Sequence, residues 1–235
     1  MATELLPVTE RTRVRRLRER QVRDREVLYE ILDGGLVAHV ALCVDGGPVL
    51  LPVAYARDAD RLLLHGSTGA GLLRAAASGA PVAVAVTHLD GLVFARSIFD
   101  SSMNYRSAVV FGTAQVLEGD ERVDALRALS DHLMPGRWDE VRPPTARELA
   151  ATLVLALPLD EVSVKVRTGG PSAGDPSDPT VWAGVLPLGV HSHEPVPADD
   201  VPPGASPPDS LRAARRRLEH PRTSNGPPQC ELPVT

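Results

Sequence analysis

Residues 36–56 read LVAHVALCV, DGGP and VLLPVAYA: two β-branched, apolar runs on either side of Asp45-Gly46-Gly47-Pro48, residue types that favour a tight turn. That is a hairpin, and it makes the sheet antiparallel. Upstream, Asp24 is placed as an N-cap, Glu26 falls in the first turn, and Val27, Leu28, Ile31 and Leu32 recur at helical spacing until Gly34-Gly35, which predicts a short helix over residues 24–33. Downstream, residues 57–60 read as a turn and 61–65 as a third strand. Gly66-Ser67-Thr68-Gly69-Ala70-Gly71 then opens into a short helix over 72–78, ended by Gly79 and Pro81. Residues 82–87 and 92–96 read as two strands around Asp90-Gly91, and 107–117 as a longer strand behind the polar insert 100–105. Asp120 caps a helix to Met134, a short helix follows near 145–150, and strands are expected over 152–157 and 162–167. Strands joined by hairpins and short helices lack the alternation of a doubly wound sheet, so the fold class is mainly β, an antiparallel barrel with peripheral helices.

The 235 residues suffice for one well-buried domain, here 24–188. Residues 1–23 form an Arg-rich extension with too few apolar residues to bury a face alone. Residues 189–235 are rich in Pro, Ser, Asp and Gly, with one helical pattern at 210–218, and are expected to be mostly disordered. A net charge of −5 and few aromatics (Phe 3, Tyr 3, Trp 2) argue against nucleic acid as a partner. No run approaches the ~18 apolar residues of a membrane helix, and the charged start lacks the apolar core of a signal peptide, so the expected location is the cytoplasm. Cys43 and Cys230 are too few for a disulfide framework and too far apart for a zinc pair, and no metal site is expected.

The loop Gly66–Gly71 is where chemistry is most legible. Small residues between a strand and a helix let backbone N–H groups face an anion, although the same residues also suit a plain turn, and the loop has neither the Lys of a P-loop nor a G-x-G-x-x-G pattern. Arg106 and Ser107, after Asn104-Tyr105, can add a cation and a donor, or form a surface turn. Lys165, the chain's only lysine, shares a strand face with Arg167, which suits either a phosphate or solvent. Among the histidines, His132 is expected on a helix surface, while His39 and His88 fit structural roles. His65 ends a strand beside the small-residue loop, where it can orient a substrate, donate a proton, ligate haem, or hydrogen-bond a loop carbonyl.

The collinear blocks DREVLYEILD, AHVALCVDGGP, LLLHGSTGAGLLRA, VAVTHLDGLVFARS, SMNYRSAVVFG, PGRW, VSVKVRTG and VWAGVLPL resemble the pyridoxamine 5′-phosphate oxidase-related, FMN-binding split-barrel proteins, and within them the nitroimidazole-resistance reductase-like branch. The resemblance implies a homodimer of six-stranded split barrels with FMN in the clefts between chains. By position it implies Pro52, Val53 and Ala54 against the flavin ring, and His65, Gly66, Ser67 and Thr68 along the ring and ribityl phosphate. It also sets Arg106-Ser107 at an Arg-Gln pair of the oxidases and Trp182 at a late Trp that reaches flavin from the partner chain. Two departures stand out. Where the oxidases carry an Arg-Lys pair for the phosphate this chain has Gly71 and Leu72, leaving Arg74 as the nearest cation. The Arg-x-His that holds pyridoxamine phosphate after the late Trp is absent, which argues against vitamin B6 oxidation. The implied function is an FMN-dependent oxidoreductase of an unidentified small molecule, with His65 as its catalytic candidate and nitroreduction as a candidate reaction; the alternative is a non-catalytic protein that holds haem or a deazaflavin through His65.

Overall fold

Asp45 and Gly46 both take positive φ, 52° and 79°, and close the predicted hairpin as a two-residue turn. The computed structural model describes residues 5–171 and 180–219. Its elements are β1 (Gln21–Val22), α1 (Arg25–Gly34), β2 (Val37–Val44), β3 (Gly47–Asp58), β4 (Arg61–Ser67), α2 (Gly71–Ala77), β5 (Pro81–Phe94), β6 (Ser102–Thr113) and β7 (Gln115–Val116). They continue as α3 (Gly119–Leu133), α4 (Arg137–Glu140), α5 (Ala146–Ala150), β8 (Thr152–Pro158), β9 (Glu161–Arg167), β10 (Gly184–Pro187) and α6 (Asp209–Glu219). Asp24 caps α1 by accepting the Glu26 N–H, and Thr145 and Glu148 form a reciprocal capping box on α5.

All strand pairs are antiparallel, in the order β1-β9-β6-β5-β2-β3-β4-β8-β7 with β10 on β5. β3 does the turning. Its first eight residues pair β2 and its last four pair β4, so one strand carries the sheet around a corner. The two ends of the sheet do not hydrogen-bond to each other, yet Leu155 and Leu157 of β8 share one core with Val110 of β6 and Val162 and Val164 of β9. Side chains close what the backbone leaves split. A second, smaller cluster lies outside the barrel, where Ala125 and Leu129 of α3 pack on Ala56, Leu63, Val154 and Ala156.

The fold class is as expected, with several differences in detail. The sheet has ten strands rather than six: seven longer ones, with the short β1 and β7 at its two ends and the short β10 on the far end of β5. The two strands expected over 82–87 and 92–96 are one, β5 over Pro81–Phe94, since the Asp90-Gly91 turn is a bulge: the β5–β6 register shifts between Leu89 and Gly91 and the ladder then resumes. β6 accordingly starts at Ser102, so Asn104, Tyr105 and Arg106 lie within it. The N-terminal extension finds a face to bury against the barrel, with Leu6 and Thr12 at 2% and 1% exposure. Within 189–219, the helix foreseen at 210–218 forms as α6; Ser210 donates to Glu140 on α4, and the Arg217 guanidinium donates to the backbone carbonyls of His132 and Asp33. The rest of that tail, 220–235 including Cys230, lies outside the described residues.

Candidate functional site

Alternation along β4 decides which way each candidate faces. Leu62 and Leu64 point into the barrel core, whereas Leu63 joins the outer cluster under α3. His65, two residues on from Leu63, therefore faces out beneath α3, and Gly66 faces in, where a Cβ would stand 2.4 Å from Leu73 Cδ1. Gly66 is a close-packing glycine that lets α2 sit on the strand.

His65 lines a pocket of about 470 Å³ between β4, β8 and the helices α3, α4 and α5. Its walls include Leu126, Trp138, Val141 and Leu149, while Ser130, Arg142 and Glu148 supply polar groups. Among the described residues, the buried Nδ1 of the imidazole has no hydrogen-bond partner. Burial pushes the His65 pKa below its usual 6.5, so the ring is neutral. A buried unpaired nitrogen is unfavourable by roughly 1–3 kcal/mol and calls for a ligand or a redox role. Arg142 is forked onto Glu148 at 2.6 and 2.9 Å.

The small-residue loop is arranged differently from an anion cradle. Thr68 N–H donates to the Ala151 carbonyl, Gly69 N–H to Ser67 Oγ, and Ala70 N–H to the Ser67 carbonyl. Those amides are spent within the protein. Gly71 begins α2 with open space around it, Leu72 is buried, and Arg74 is exposed on the helix. Arg106 is forked onto Asp90 at 2.9 and 2.8 Å, which raises its pKa and occupies its charge. Ser107 donates to the Lys165 carbonyl, and Lys165 Nζ lies 5.9 Å from the centre of the Tyr105 ring. Arg167 is buried and bonded to Asn104.

Pro52 and Ala54 lie on the outer face of β3, opposite His39 and Val37 of β2, while Val53 packs against the core. This outer face is apolar and open, with Val37 51% and Leu50 61% exposed. Trp182 is 67% exposed and meets Phe94 edge-on just before β10. Within one chain these candidates form separate groups: β4, with His65 to Ser67, is divided from β6, with Arg106 and Ser107, by β3, β2 and β5. His88 bonds the Ile31 carbonyl at 2.8 Å, a structural role as expected. His132 departs from its expected surface position: half-buried, it bonds the Gly35 carbonyl at 2.7 Å and packs on Tyr55. Trp138, Arg142 and Leu126 were not legible as pocket residues, because α3, α4 and α5 are brought over His65 by tertiary packing alone. The Thr145–Glu148 capping pattern was the one local signal there.

Among the described residues, no helix is long and apolar enough to cross a membrane and no cluster of three metal-ligating side chains occurs. A sequence model described as pyridoxamine 5′-phosphate oxidase matches residues 24–166. No curated protein matches the chain. Among solved structures, the FAD and haem binding protein from Mycobacterium smegmatis is 46% identical with a TM-score of 0.81, covering 83% of this chain and 97% of its own. The flavocytochrome Anf3 from Azotobacter vinelandii is 34% identical with a TM-score of 0.81, covering 87% and 96%. A candidate 5-nitroimidazole antibiotic resistance protein from Bacteroides thetaiotaomicron, 19% identical with a TM-score of 0.54 over 62% and 86%, shares the fold. With the family model matched over residues 24–166, more than half of its length, this chain belongs to the pyridoxamine 5′-phosphate oxidase family.

Proposed function

We propose that the chain is a two-cofactor redox protein, a homodimer that holds a flavin against the open outer face of β2 and β3 and a haem through His65. The observation that carries this reading is the neutral His65 ring, with a buried unpaired nitrogen, at an apolar pocket of about 470 Å³. That size lies within the range of small-molecule and cofactor sites. A neutral imidazole offers a lone pair to iron, Leu126, Trp138, Val141 and Leu149 suit the faces of a flat macrocycle, and Arg142 would have to exchange Glu148 for its carboxylates to pair with them. The names of the two similar flavin- and haem-carrying structures support the same pairing.

For the flavin we favour FAD over the FMN implied by sequence resemblance. FMN ends in a phosphomonoester dianion, which needs cations and free amides. Here Gly71 and Leu72 supply no charge and the loop amides of Thr68, Gly69 and Ala70 are engaged. The diester phosphates of a dinucleotide carry one charge each and demand less. Pro52 and Ala54 would wall the ring, and Trp182 of a second copy would cover it, as its exposure permits. Bound in these places, the two groups would supply two-electron and one-electron chemistry for a small-molecule partner, while the chain orients them and excludes water.

Titration of haemin into the flavin-loaded protein tests the assignment. The wild type should develop a Soret band saturating at one haem per chain, and His65→Ala should lose it while keeping its flavin. An undiminished Soret band in His65→Ala would overturn the haem assignment.

A further inference from the structure

We propose that the arginine loop of residues 13–20 is a binding site for a phosphate-rich small molecule, of the class of pyrophosphate and nucleoside diphosphates. Arg13, Arg15 and Arg18, with Glu10, surround a cleft of about 390 Å³. Arg15 pairs with Glu10 at 3.2 Å, and both side chains are widely exposed. Among the described residues, Arg13 and Arg18 have no hydrogen-bonding or ion-pair partner for their guanidinium groups.

The loop is built rather than frayed. Its neck is stapled by Gln21, which donates to the Thr12 carbonyl at 3.2 Å and accepts the Val14 N–H at 3.0 Å. Thr12 is buried, and its carbonyl also accepts from Ser163 of β9. Leu17, at φ 56°, turns the chain in the left-handed region, and the Arg20 N–H closes back on its carbonyl. The guanidiniums are thus displayed from a fixed base, which lowers the entropy lost on binding. Glu10 offsets part of the charge by pairing Arg15, which leaves the lining with an excess of positive charge. Three arginines and one carboxylate on one cleft give a net positive lining that an anion can balance. The cleft suits a small polyphosphate, and the scarcity of aromatic side chains argues against a nucleic acid strand.

The site lies along β1 and β9, at the opposite end of the sheet order from β4 and β8, so it does not depend on the flavin or haem assignments. Calorimetric titration of sodium pyrophosphate at low salt into the full-length, cofactor-loaded protein should show saturable binding at one per chain. The double variant Arg13→Ala with Arg18→Ala should weaken it at least about tenfold, and Glu10→Gln, which frees Arg15, should strengthen it by about two- to fivefold. ADP binding more tightly than pyrophosphate would support the site and assign a nucleotide; equal binding would support it and assign phosphate groups alone. Absence of saturable heat in the wild type, or unchanged affinity in the double variant, would overturn the proposal. The flavin and haem spectra should stay constant across these variants, which separates this outcome from any failure of the cofactor reading.

Discussion

Tyr55 is fully buried and donates its hydroxyl to the Leu32 carbonyl at 2.5 Å, tying β3 to the end of α1. Burial holds that phenol protonated by raising its pKa well above the usual value. Tyr55→Phe should lower unfolding stability by about 1 kcal/mol, read as a shift in denaturant midpoint at constant slope. Asp90→Ala should be more severe, at about 1.5–3 kcal/mol, because it leaves the half-buried Arg106 charge without its fork. Two histidines set an acid limit. Burial is the main cause that lowers the pKa of both His65 and His132 from 6.5, so the unfolded chain takes up protons first as pH falls. Their contribution to stability is complete above about pH 6.5 and is lost as pH drops through the folded values; a thermal midpoint that rose on acidification across that window would contradict this. At this scale the sequence marked His65 and Arg106 as notable, but not their surroundings. The partner of Arg106 is the bulged residue of the neighbouring strand, and the burial of His132 depends on a helix meeting Tyr55 from far along the chain.

Hairpins and helix caps are local, and at the scale of elements Asp24, Asp45-Gly46 and Thr145 each mark the boundary they form. Asp120, expected as a cap, instead lies inside α3, which starts at Gly119 after Glu118 with no side-chain cap. Nor was the single strand β5 legible, since Asp90-Gly91 has the same composition whether it turns the chain or bulges it. Gly66 illustrates a different ambiguity. Its place in a small-residue loop suggested ligand contact, yet the space a Cβ would need is taken by Leu73. Gly66→Ala should force α2 outward and destabilise by about 1–3 kcal/mol, visible as faster amide exchange in residues 71–77. Composition also underestimated α6, whose hold on α4 runs through Ser210 and Glu140 rather than through apolar burial. Ser210→Ala should release this helix locally, with increased exchange in residues 209–219 and little change in the barrel strands.

For the whole molecule, sheet order is the decisive constraint. The candidates on β4 and those on β6 and before β10 are separated within one chain, while the outer face of β2 and β3 stays apolar and open. An exposed surface of this kind is characteristic of an interaction site, and a second copy would both cover it and bring Trp182 to the flavin. Light scattering should give twice the chain mass, and Leu50→Asp should shift it toward the monomer with loss of flavin.

The most direct test of the two-cofactor account is to count flavin and haem per chain in the purified protein and in two variants, Pro52→Asp on the outer sheet face and His65→Ala in the pocket beneath α3. The account predicts opposite losses: Pro52→Asp forfeits flavin and retains haem, and His65→Ala forfeits haem and retains flavin. Loss of both groups together from a folded His65→Ala protein, or retention of both, would contradict it.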